Sequence, residues 1–358
     1  MKKILLILFA LILCSKISYS NELQFENGTF QEVLAKAKAE NKLLMIDFIT
    51  DWCIWCVHTD IKVYTNPEII DFASKNQINW KVDAEKGEGI ELAKKYNVVG
   101  YPTIVFVDGD GNEVDRIYGY YPAKDFLETI KNYSNRVKTL PALQKAVMEN
   151  ANDVTANYLY AEKLLNVGKA EDAGKYFEFV IKNDEGNASG YYDDALFQTA
   201  MGKNDTVAVA ELITRFPESN MQKDAYIFLF NDAVGKGKQD DIDKYKAILE
   251  SKYGSDEMVN FYIGQYYLGK ASKVSKDEKA TNEMRMEAIK NTDLAFPYLE
   301  GGVFEAGPSF VKSNLYYAMG DYKTADEYID KSLAIWGTRK SYVDQKQKIQ
   351  AKLKEQTK

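Results

Sequence analysis

Basic residues are in the minority in this chain. Its 46 lysines and arginines are outnumbered by 53 aspartates and glutamates, which gives a net charge of −7 at neutral pH. Nucleic-acid-binding proteins need an excess of positive charge on the surface that meets the phosphates. We therefore expect no DNA or RNA partner.

Proline is scarce as well, with 7 residues in a chain of 358. Apolar residues make up 46% of the sequence, which is enough to bury a sizeable core, and the length is that of about two domains. The composition is that of an ordinary globular protein. A largely disordered or fibrous chain is excluded.

Long apolar runs are absent beyond the first residues, so no transmembrane helix is predicted. The chain starts with two lysines and an apolar run at 4–13, which is too short to span a bilayer. Small residues at Ser18 and Ser20 precede Asn21 in the pattern that a signal peptidase recognises. We therefore expect residues 1–20 to be a signal peptide and the protein to be exported to the periplasm or another extracytoplasmic space.

The alternative for this leader is a lipoprotein anchored through Cys14. Leu13 argues against lipidation, because that class of protein carries a small residue before the modified cysteine. With cleavage after Ser20, Cys14 is removed together with the leader.

Cysteine is rare, and Cys53 and Cys56 alone remain after the expected cleavage. Secreted proteins that use disulfides as staples carry several cysteines far apart, because closing a long loop stabilises most. A pair separated by two residues closes a loop too small to add much stability. The sequence therefore indicates a chemical role for this pair.

Residues 29–136 predict alternating helices and strands. The capping box at 29–32 begins a helix that runs to about residue 41. Strands are predicted at 43–49, 78–82, 103–107 and 113–118, and further helices after Cys53 and at 68–75, 90–96 and 122–136. This order favours an α/β fold with a central mixed sheet and helices on both faces.

The sequence Trp52-Cys53-Ile54-Trp55-Cys56 places two sulfurs three positions apart at the predicted start of a helix. At this spacing they can close a small, reversible disulfide. The free N–H groups and the dipole of a helix N-terminus favour an anion, so we expect an exposed, easily ionised thiol at Cys53. Cys53 is predicted to be the nucleophile. Cys56 is predicted to resolve the mixed disulfide.

Three motifs in this order resemble those of thioredoxin. They are Asp47 before the strand end, the two-cysteine turn after Trp52, and the segment Val99-Gly100-Tyr101-Pro102-Thr103. The resemblance covers roughly residues 22–136. It implies the thioredoxin fold and the activity of a thiol–disulfide oxidoreductase.

The resemblance also implies roles for three residues in substrate binding. It implies that Pro102 is cis and faces the disulfide, that Tyr101 offers backbone groups to an extended client peptide, and that Trp52 lines the groove. The alternative for Pro102 is a proline that simply begins a strand.

Asp47 is an acid in an otherwise apolar strand segment. Burial there would raise its pKa. The resemblance places such an acid near the second sulfur, where it takes the proton of Cys56 and acts in catalysis. An acid on a solvent-facing edge of the strand is the alternative.

The residues between the cysteines favour a protein-disulfide reductase over an oxidase or isomerase. Ile54 and Trp55 cannot form the charge-assisted bond to a thiolate that a histidine forms there in oxidising relatives of this fold. They also differ from the Gly-Pro pair of thioredoxin, so neither potential nor partner choice can be transferred. A reductase outside the cytoplasm requires a membrane thiol electron donor. Its clients are proteins that carry a disulfide.

Histidine occurs once, at His58. Together with Cys53 and Cys56 it offers three soft ligands, but a closed zinc site prefers a fourth cysteine or histidine. We predict no metal and no other cofactor, and we expect His58 to lie exposed on the helix.

From about residue 139 strand signals vanish and amphipathic helical segments follow. Glycines recur at intervals of 32 to 35 residues, at Gly168, Gly202, Gly237 and Gly269, and again at Gly320 after an insertion. This period is similar to that of tetratricopeptide repeats. We predict a thioredoxin-like domain at 21–138 and an all-α, tetratricopeptide-like solenoid at 139–358. A non-repetitive helical bundle is the alternative.

The predicted repeats raise a second class of function. Solenoids expose extended concave surfaces that bind other proteins. The helical repeats are therefore predicted to bind a client or another partner. In the alternative hypothesis this interaction is the primary function and the α/β part is its scaffold.

Overall fold

The structure, a computed structural model, describes residues 21–356. The predicted signal peptide and the alternative lipidation at Cys14 lie outside the described residues. We call residues 21–138 the α/β region and residues 139–356 the helical region.

Four strands of the α/β region form one mixed sheet, and five helices surround it. The strands are β1 (Leu43–Ile49), β2 (Gln77–Asp83), β3 (Thr103–Val107) and β4 (Glu113–Tyr118). The helices are α1 (Phe30–Glu40), α2 (Ile54–Lys62), α3 (Pro67–Asn76), α4 (Gly89–Lys95) and α5 (Ala123–Ser134). The strand order is β2-β1-β3-β4, with β1 and β2 parallel and the other two pairs antiparallel. The predicted α/β fold with a mixed sheet is confirmed.

Helices α1 and α3 begin at the capping residues that the sequence predicted. Thr29 caps α1 in a complete capping box with Glu32. Asn66 caps α3, and Pro67 occupies its first turn, where a missing N–H costs nothing.

The central strand β1 is buried on both faces, and its side chains alternate between two cores. Leu44, Ile46 and Phe48 pack with α1 and α4, whereas Met45 packs with residues of α3 and α5. Asp47 shares the face of Met45 because successive side chains of a strand point to opposite sides. It therefore lies within the core, on the side of the sheet that also carries Tyr64, just after α2.

Twelve helices and one 3₁₀ turn make up the helical region. They are α6 (Leu140–Glu149), α7 (Val154–Asn166), α8 (Ala170–Asn183), α9 (Tyr192–Gly202), α10 (Thr206–Arg215), α11 (Gln222–Lys236), α12 (Gln239–Tyr253), α13 (Glu257–Ser275), α14 (Asn282–Leu299), the 3₁₀ turn Val303–Glu305, α15 (Ala306–Ala318), α16 (Tyr322–Ile335) and α17 (Lys340–Gln356). Sequential helices pack against each other. The predicted all-α class of this region is confirmed. Within residues 21–356, no helix is both long and apolar enough to cross a bilayer.

Three of the predicted repeat glycines occupy equivalent turns. Gly168, Gly237 and Gly320 connect two helices and have φ of 78°, 66° and 83°, in the left-handed range that glycine adopts without strain. The tyrosine eight residues after each glycine packs against a tyrosine of the preceding helix, in the pairs Tyr160–Tyr176, Tyr226–Tyr245 and Tyr316–Tyr328.

Gly269 departs from this pattern. It lies inside α13 and connects no helices, so its spacing from Gly237 does not mark a repeat boundary. That part of the periodicity is wrong. The assignment to the tetratricopeptide class stays a prediction, as does the division into domains at 138/139.

A buried ion pair joins the two regions near this boundary. Lys163 of α7 places its Nζ 2.8 Å from Oδ1 of Asp115 on β4, and the side chains of both are less than a tenth exposed. Asp115 also accepts the N–H of Leu140, the first residue of α6. The helical region is therefore fixed to the sheet at its start.

Candidate redox site

Cys53 and Cys56 lie where the central strand passes into α2. Cys53 is the N-cap of α2, and its Sγ accepts a hydrogen bond from the N–H of Cys56 at 3.0 Å. The two sulfurs form a disulfide with an S–S distance of 2.08 Å. The N–H that bonds this sulfur, and the dipole of α2, are suited to stabilise a thiolate at the same place.

Both cysteines are buried, with Cys53 3% and Cys56 4% exposed. The sequence-based expectation of an exposed thiol at the helix tip is therefore wrong for the disulfide form. The outer face of the first turn of α2 is covered, because Ile54 and Trp55 pack against the core of the helical region. This cover comes from residues far along the chain, which a local motif cannot reveal.

Trp52 and Tyr101 meet beside the disulfide turn. Trp52 is 58% exposed, and its ring contacts that of Tyr101 edge to face, with 5.7 Å between the centroids. Its indole N–H donates to the carboxylate of Glu85. The bond between Tyr101 and Pro102 is cis, and Pro102 is buried at the start of β3. The structure thus brings the predicted groove residues Trp52 and Tyr101 into contact.

Asp47 is a buried acid with few partners. The hydroxyl of Tyr64 donates to its Oδ2 at 3.1 Å, and Nζ of Lys81 lies 3.6 Å from the same oxygen. Its Oδ1 has no hydrogen-bond partner among the described residues. Burial raises the pKa of Asp47 to about 6, and the charge of Lys81 limits the rise. Such a carboxyl can exchange a proton close to neutral pH.

Lys81 is a neighbour of this acid that the sequence interpretation missed. It forms an ion pair with Asp60 of α2 as well, and its Nζ lies 4.5 Å from the ring centroid of Phe25. Burial alone would lower the pKa of Lys81, but the charges of Asp47 and Asp60 outweigh it and raise the pKa. A signal existed in the strand register, because Asp47 and Lys81 are paired positions of β1 and β2.

His58 does not occupy the exposed position expected from the sequence. It is 1% exposed, and its Nε2 lies 2.9 Å from Oε1 of Glu257, the first residue of α13. Burial lowers the pKa of His58, although Glu257 opposes this shift. Burial therefore favours the neutral form of the ring. The prediction was wrong because the covering surface belongs to the helical region.

An aromatic cluster surrounds Trp55, the residue directly before Cys56. The centroid of its ring lies 4.7 Å from that of Phe261, 4.8 Å from that of Phe304 and 5.4 Å from that of Tyr120. The ring of His58 contacts those of Trp55, Tyr120 and Phe304. We call Trp55, His58, Tyr120, Phe261 and Phe304 the Trp55 cluster. A cavity of about 360 Å³ lies beside it, at the junction of the two regions.

Within residues 21–356, no group of three or more histidine, cysteine, aspartate or glutamate side chains is arranged to hold a metal ion. The pair formed by Cys53 and Cys56 is used by the disulfide. The two sulfurs and the buried acid Asp47 are the reactive groups that the structure places near the start of α2.

Residues 30–134 match the family model of a thioredoxin-like domain. The thiol:disulfide interchange protein DsbD of Yersinia pestis (strain Pestoides F) is 33% identical over 99 residues, which are 27% of this chain and 17% of DsbD. DsbD of Vibrio vulnificus (strain CMCP6) is 36% identical over 110 residues, or 29% of this chain and 18% of that relative. The chain thus spans less than a fifth of these relatives' length.

Solved structures match about a third of the chain. A thioredoxin from Thermus thermophilus is 29% identical, with 31% of this chain and 86% of that one covered and a TM-score of 0.29. A DsbH oxidoreductase is 25% identical over 32% of this chain and 85% of its own, also with a TM-score of 0.29. The family model and the DsbD relatives identify the α/β region as a thioredoxin-like domain related to thiol–disulfide oxidoreductases. The predicted resemblance is confirmed.

Proposed function

We propose that this thioredoxin-like protein is an exported protein-disulfide reductase that works through Cys53 and Cys56. The observation that carries the proposal is the disulfide at the N-terminus of α2, where the N–H of Cys56 donates to Sγ of Cys53. After reduction the same donor and the helix dipole stabilise a thiolate on Cys53. A thiolate held in this way is the reactive form in disulfide exchange.

The reaction is a two-step transfer of two electrons. The Cys53 thiolate attacks one sulfur of a client disulfide, a mixed disulfide forms, and the other client sulfur leaves as a thiolate. Cys56 loses its proton and attacks Sγ of Cys53, so that the client's second sulfur leaves and the Cys53–Cys56 disulfide closes. The client is reduced and the protein is oxidised.

Asp47 is the proposed acceptor of the Cys56 proton. It lies in the core, on the same side of the sheet as Tyr64. Burial raises its pKa to about 6, and its Oδ1 has no hydrogen-bond partner among the described residues. Lys81 keeps a positive charge near the carboxylate and so limits the cost of its ionisation. A base with a pKa near the working pH is suited to general base catalysis.

Trp52 and Tyr101 are the proposed contact surface for the client. The exposed indole of Trp52 stands beside Tyr101, and the backbone of Tyr101 precedes the cis bond to Pro102. An extended peptide could donate to and accept from the backbone at this point while its side chains contact the indole. Pro102 would hold the loop in the shape that the peptide meets.

The direction of electron flow rests on what faces the thiolate. Ile54 and Trp55 carry no charged donor, and the sole histidine, His58, contacts Glu257 of the helical region. The reduced form therefore lacks the extra stabilisation that makes a strong oxidant. This supports a reductase.

Export and partners complete the proposal. The first twenty residues carry the features of a signal peptide, with small residues at Ser18 and Ser20. A reductase outside the cytoplasm must be reduced again after each cycle, so we propose a membrane thiol donor as the electron source. The helical region is the proposed site for binding a client or a further protein partner.

Two variants test this function. Wild-type protein with dithiothreitol should reduce the disulfides of insulin, and Cys53→Ser should abolish this activity. Cys56→Ala should accumulate mixed disulfides on Cys53 whose partners, identified by mass spectrometry, are the client and the electron donor. If Cys53→Ser keeps the biological role while losing disulfide reduction, binding by the helical region is the primary function instead.

A further inference from the structure

The helical region contacts the α/β region at two separate places. Near its start, Lys163 pairs with Asp115 of the sheet. Further along the chain, α13 and the 3₁₀ turn bring Glu257, Phe261 and Phe304 against α2. The two junctions lie on different elements of the α/β region. The helical region is thus docked at two places, and one of them is the helix that carries both cysteines.

The second junction meets α2 within its first turns. Trp55 is clamped by the rings of Phe261 and Phe304, and Ile54 and Val57 pack against the same core of the helical region. Trp55 lies between the two cysteines in sequence. Its backbone cannot move without moving the sulfurs on either side.

Glu257 adds a polar part to this junction. One of its carboxylate oxygens lies 2.9 Å from Nε2 of His58, and the other accepts the hydroxyl of Tyr120 at 2.8 Å. Glu257 therefore joins α2 to the loop that precedes α5, while belonging to the helical region itself. Because His58 lies five residues beyond Cys53 on the same helix, the axial separation is only about 7.5 Å.

We propose that Glu257 and Phe261 of the helical region are positioning residues for the redox pair and set its reduction potential. They act through His58 and Trp55, which they contact. This inference rests on the proposed thiol–disulfide exchange and assigns the helical region a part in the chemistry of the site.

The expected direction follows from the two forms of the site. In the disulfide form the short Cys53–Cys56 ring restrains the turn even without the clamp, whereas in the dithiol form Trp55 depends on Phe261. Loss of the Phe261 ring therefore frees the turn in the dithiol form alone, and the gain in conformational entropy favours the dithiol. Loss of the contact between Glu257 and His58 loosens the first turns of α2 in the same way and also favours the dithiol.

The test is the equilibrium of the purified full-length protein with glutathione, in which the protein disulfide and two glutathione molecules give the dithiol and one glutathione disulfide. Glu257→Gln and Phe261→Ala should each shift the equilibrium constant at least about threefold toward the dithiol, which is about 15 mV for a two-electron couple. Phe261→Tyr keeps an aromatic ring against Trp55 and should therefore have the equilibrium constant of the wild type.

Two matched controls separate positioning from stability. Phe310→Ala truncates a half-buried phenylalanine of the same core that contacts Tyr342, and Glu283→Gln removes an exposed acid from the first turn of α14. Phe310→Ala should lower the melting temperature and leave the equilibrium constant unchanged, and Glu283→Gln should change neither.

Two results would overturn the inference. One is an equilibrium constant in Glu257→Gln and Phe261→Ala equal to that of the wild type. The other is an equal shift in Phe310→Ala, which would make the effect one of general stability. A wild-type protein that does not equilibrate with glutathione at all would instead refute the proposed function.

Discussion

Asp47 of β1 and Lys81 of β2 are paired positions in the parallel register, and Nζ of Lys81 lies 3.6 Å from Oδ2 of Asp47. The pair places a cation beside a buried acid whose pKa burial raises to about 6. An acid in this state is ionised in most molecules at pH 7 and remains able to take up a proton. This relationship links the packing of the sheet to the proposed chemistry.

Replacing Asp47 with Asn should slow release of the client from the mixed disulfide by on the order of a hundredfold, because the Cys56 proton loses its acceptor. In the wild type the release rate should rise with pH through about 6, as the carboxyl loses its proton. The variant should lack this step. Single-turnover measurements between pH 5 and 8 check both points. Asp60→Asn is the control, since Asp60 pairs with the same lysine.

Asp47 should also make the stability of the fold depend on pH. Stability should fall as the pH rises, whereas the rate of client release should rise. The pKa of Asp47 in the folded state, about 6, lies above the ordinary value of 3.8, so the folded state binds more protons between these values. Stability contributed by this group is present below about pH 4 and is lost as the pH rises through 6. Relative to the wild type, Asp47→Asn should therefore gain about 2 to 3 kcal/mol in unfolding free energy between pH 4 and pH 7. Urea unfolding at both pH values measures this change, and an unchanged difference would contradict it.

Lys163 should be essential for the junction near the boundary of the two regions. Lys163→Met leaves the carboxylate of Asp115 buried without its cation, which should cost about 3 to 5 kcal/mol of unfolding free energy. Adding Asp115→Asn should recover part of this loss, since the uncompensated charge is then gone. Denaturant unfolding of the two variants makes the comparison. A single variant as stable as the wild type would show that the ion pair does not hold the junction.

Truncating Trp52 should weaken client binding without harming the fold. Its side chain is largely exposed, so Trp52→Ala should change stability by less than about 0.5 kcal/mol. The KM for a disulfide-containing peptide should rise about fivefold or more, with a smaller change in kcat. Ile61→Ala removes another exposed apolar side chain, near the far end of α2, and should leave both constants unchanged. A KM unaffected in Trp52→Ala would remove this residue from the client surface.

The α/β region could be predicted well because its signals are local. The capping box at Thr29, the proline after Asn66 and the turn before Glu113 each determine their element through neighbouring residues. The two-cysteine motif and the buried acid are likewise visible in short stretches of sequence. For these features the chain needs no long-range contact to be interpreted.

What the sequence did not reveal depends on tertiary contacts. Nothing in the sequence around His58 shows that Glu257 will contact it, and the packing of Ile54 and Trp55 against the helical region depends on residues far along the chain. Gly269 fits the interval of a repeat, yet it lies within a helix because α13 continues through it. Spacing along the chain does not determine which surfaces meet.

The most direct test of the account is a stoichiometric transfer of electrons. The dithiol form of the purified protein, freed of reductant, is mixed with a peptide that contains one disulfide, and both are analysed by mass spectrometry after alkylation. The account predicts that one peptide disulfide is reduced per chain and that Cys53 and Cys56 become linked to each other. A peptide that stays oxidised while both cysteines remain free thiols would contradict it.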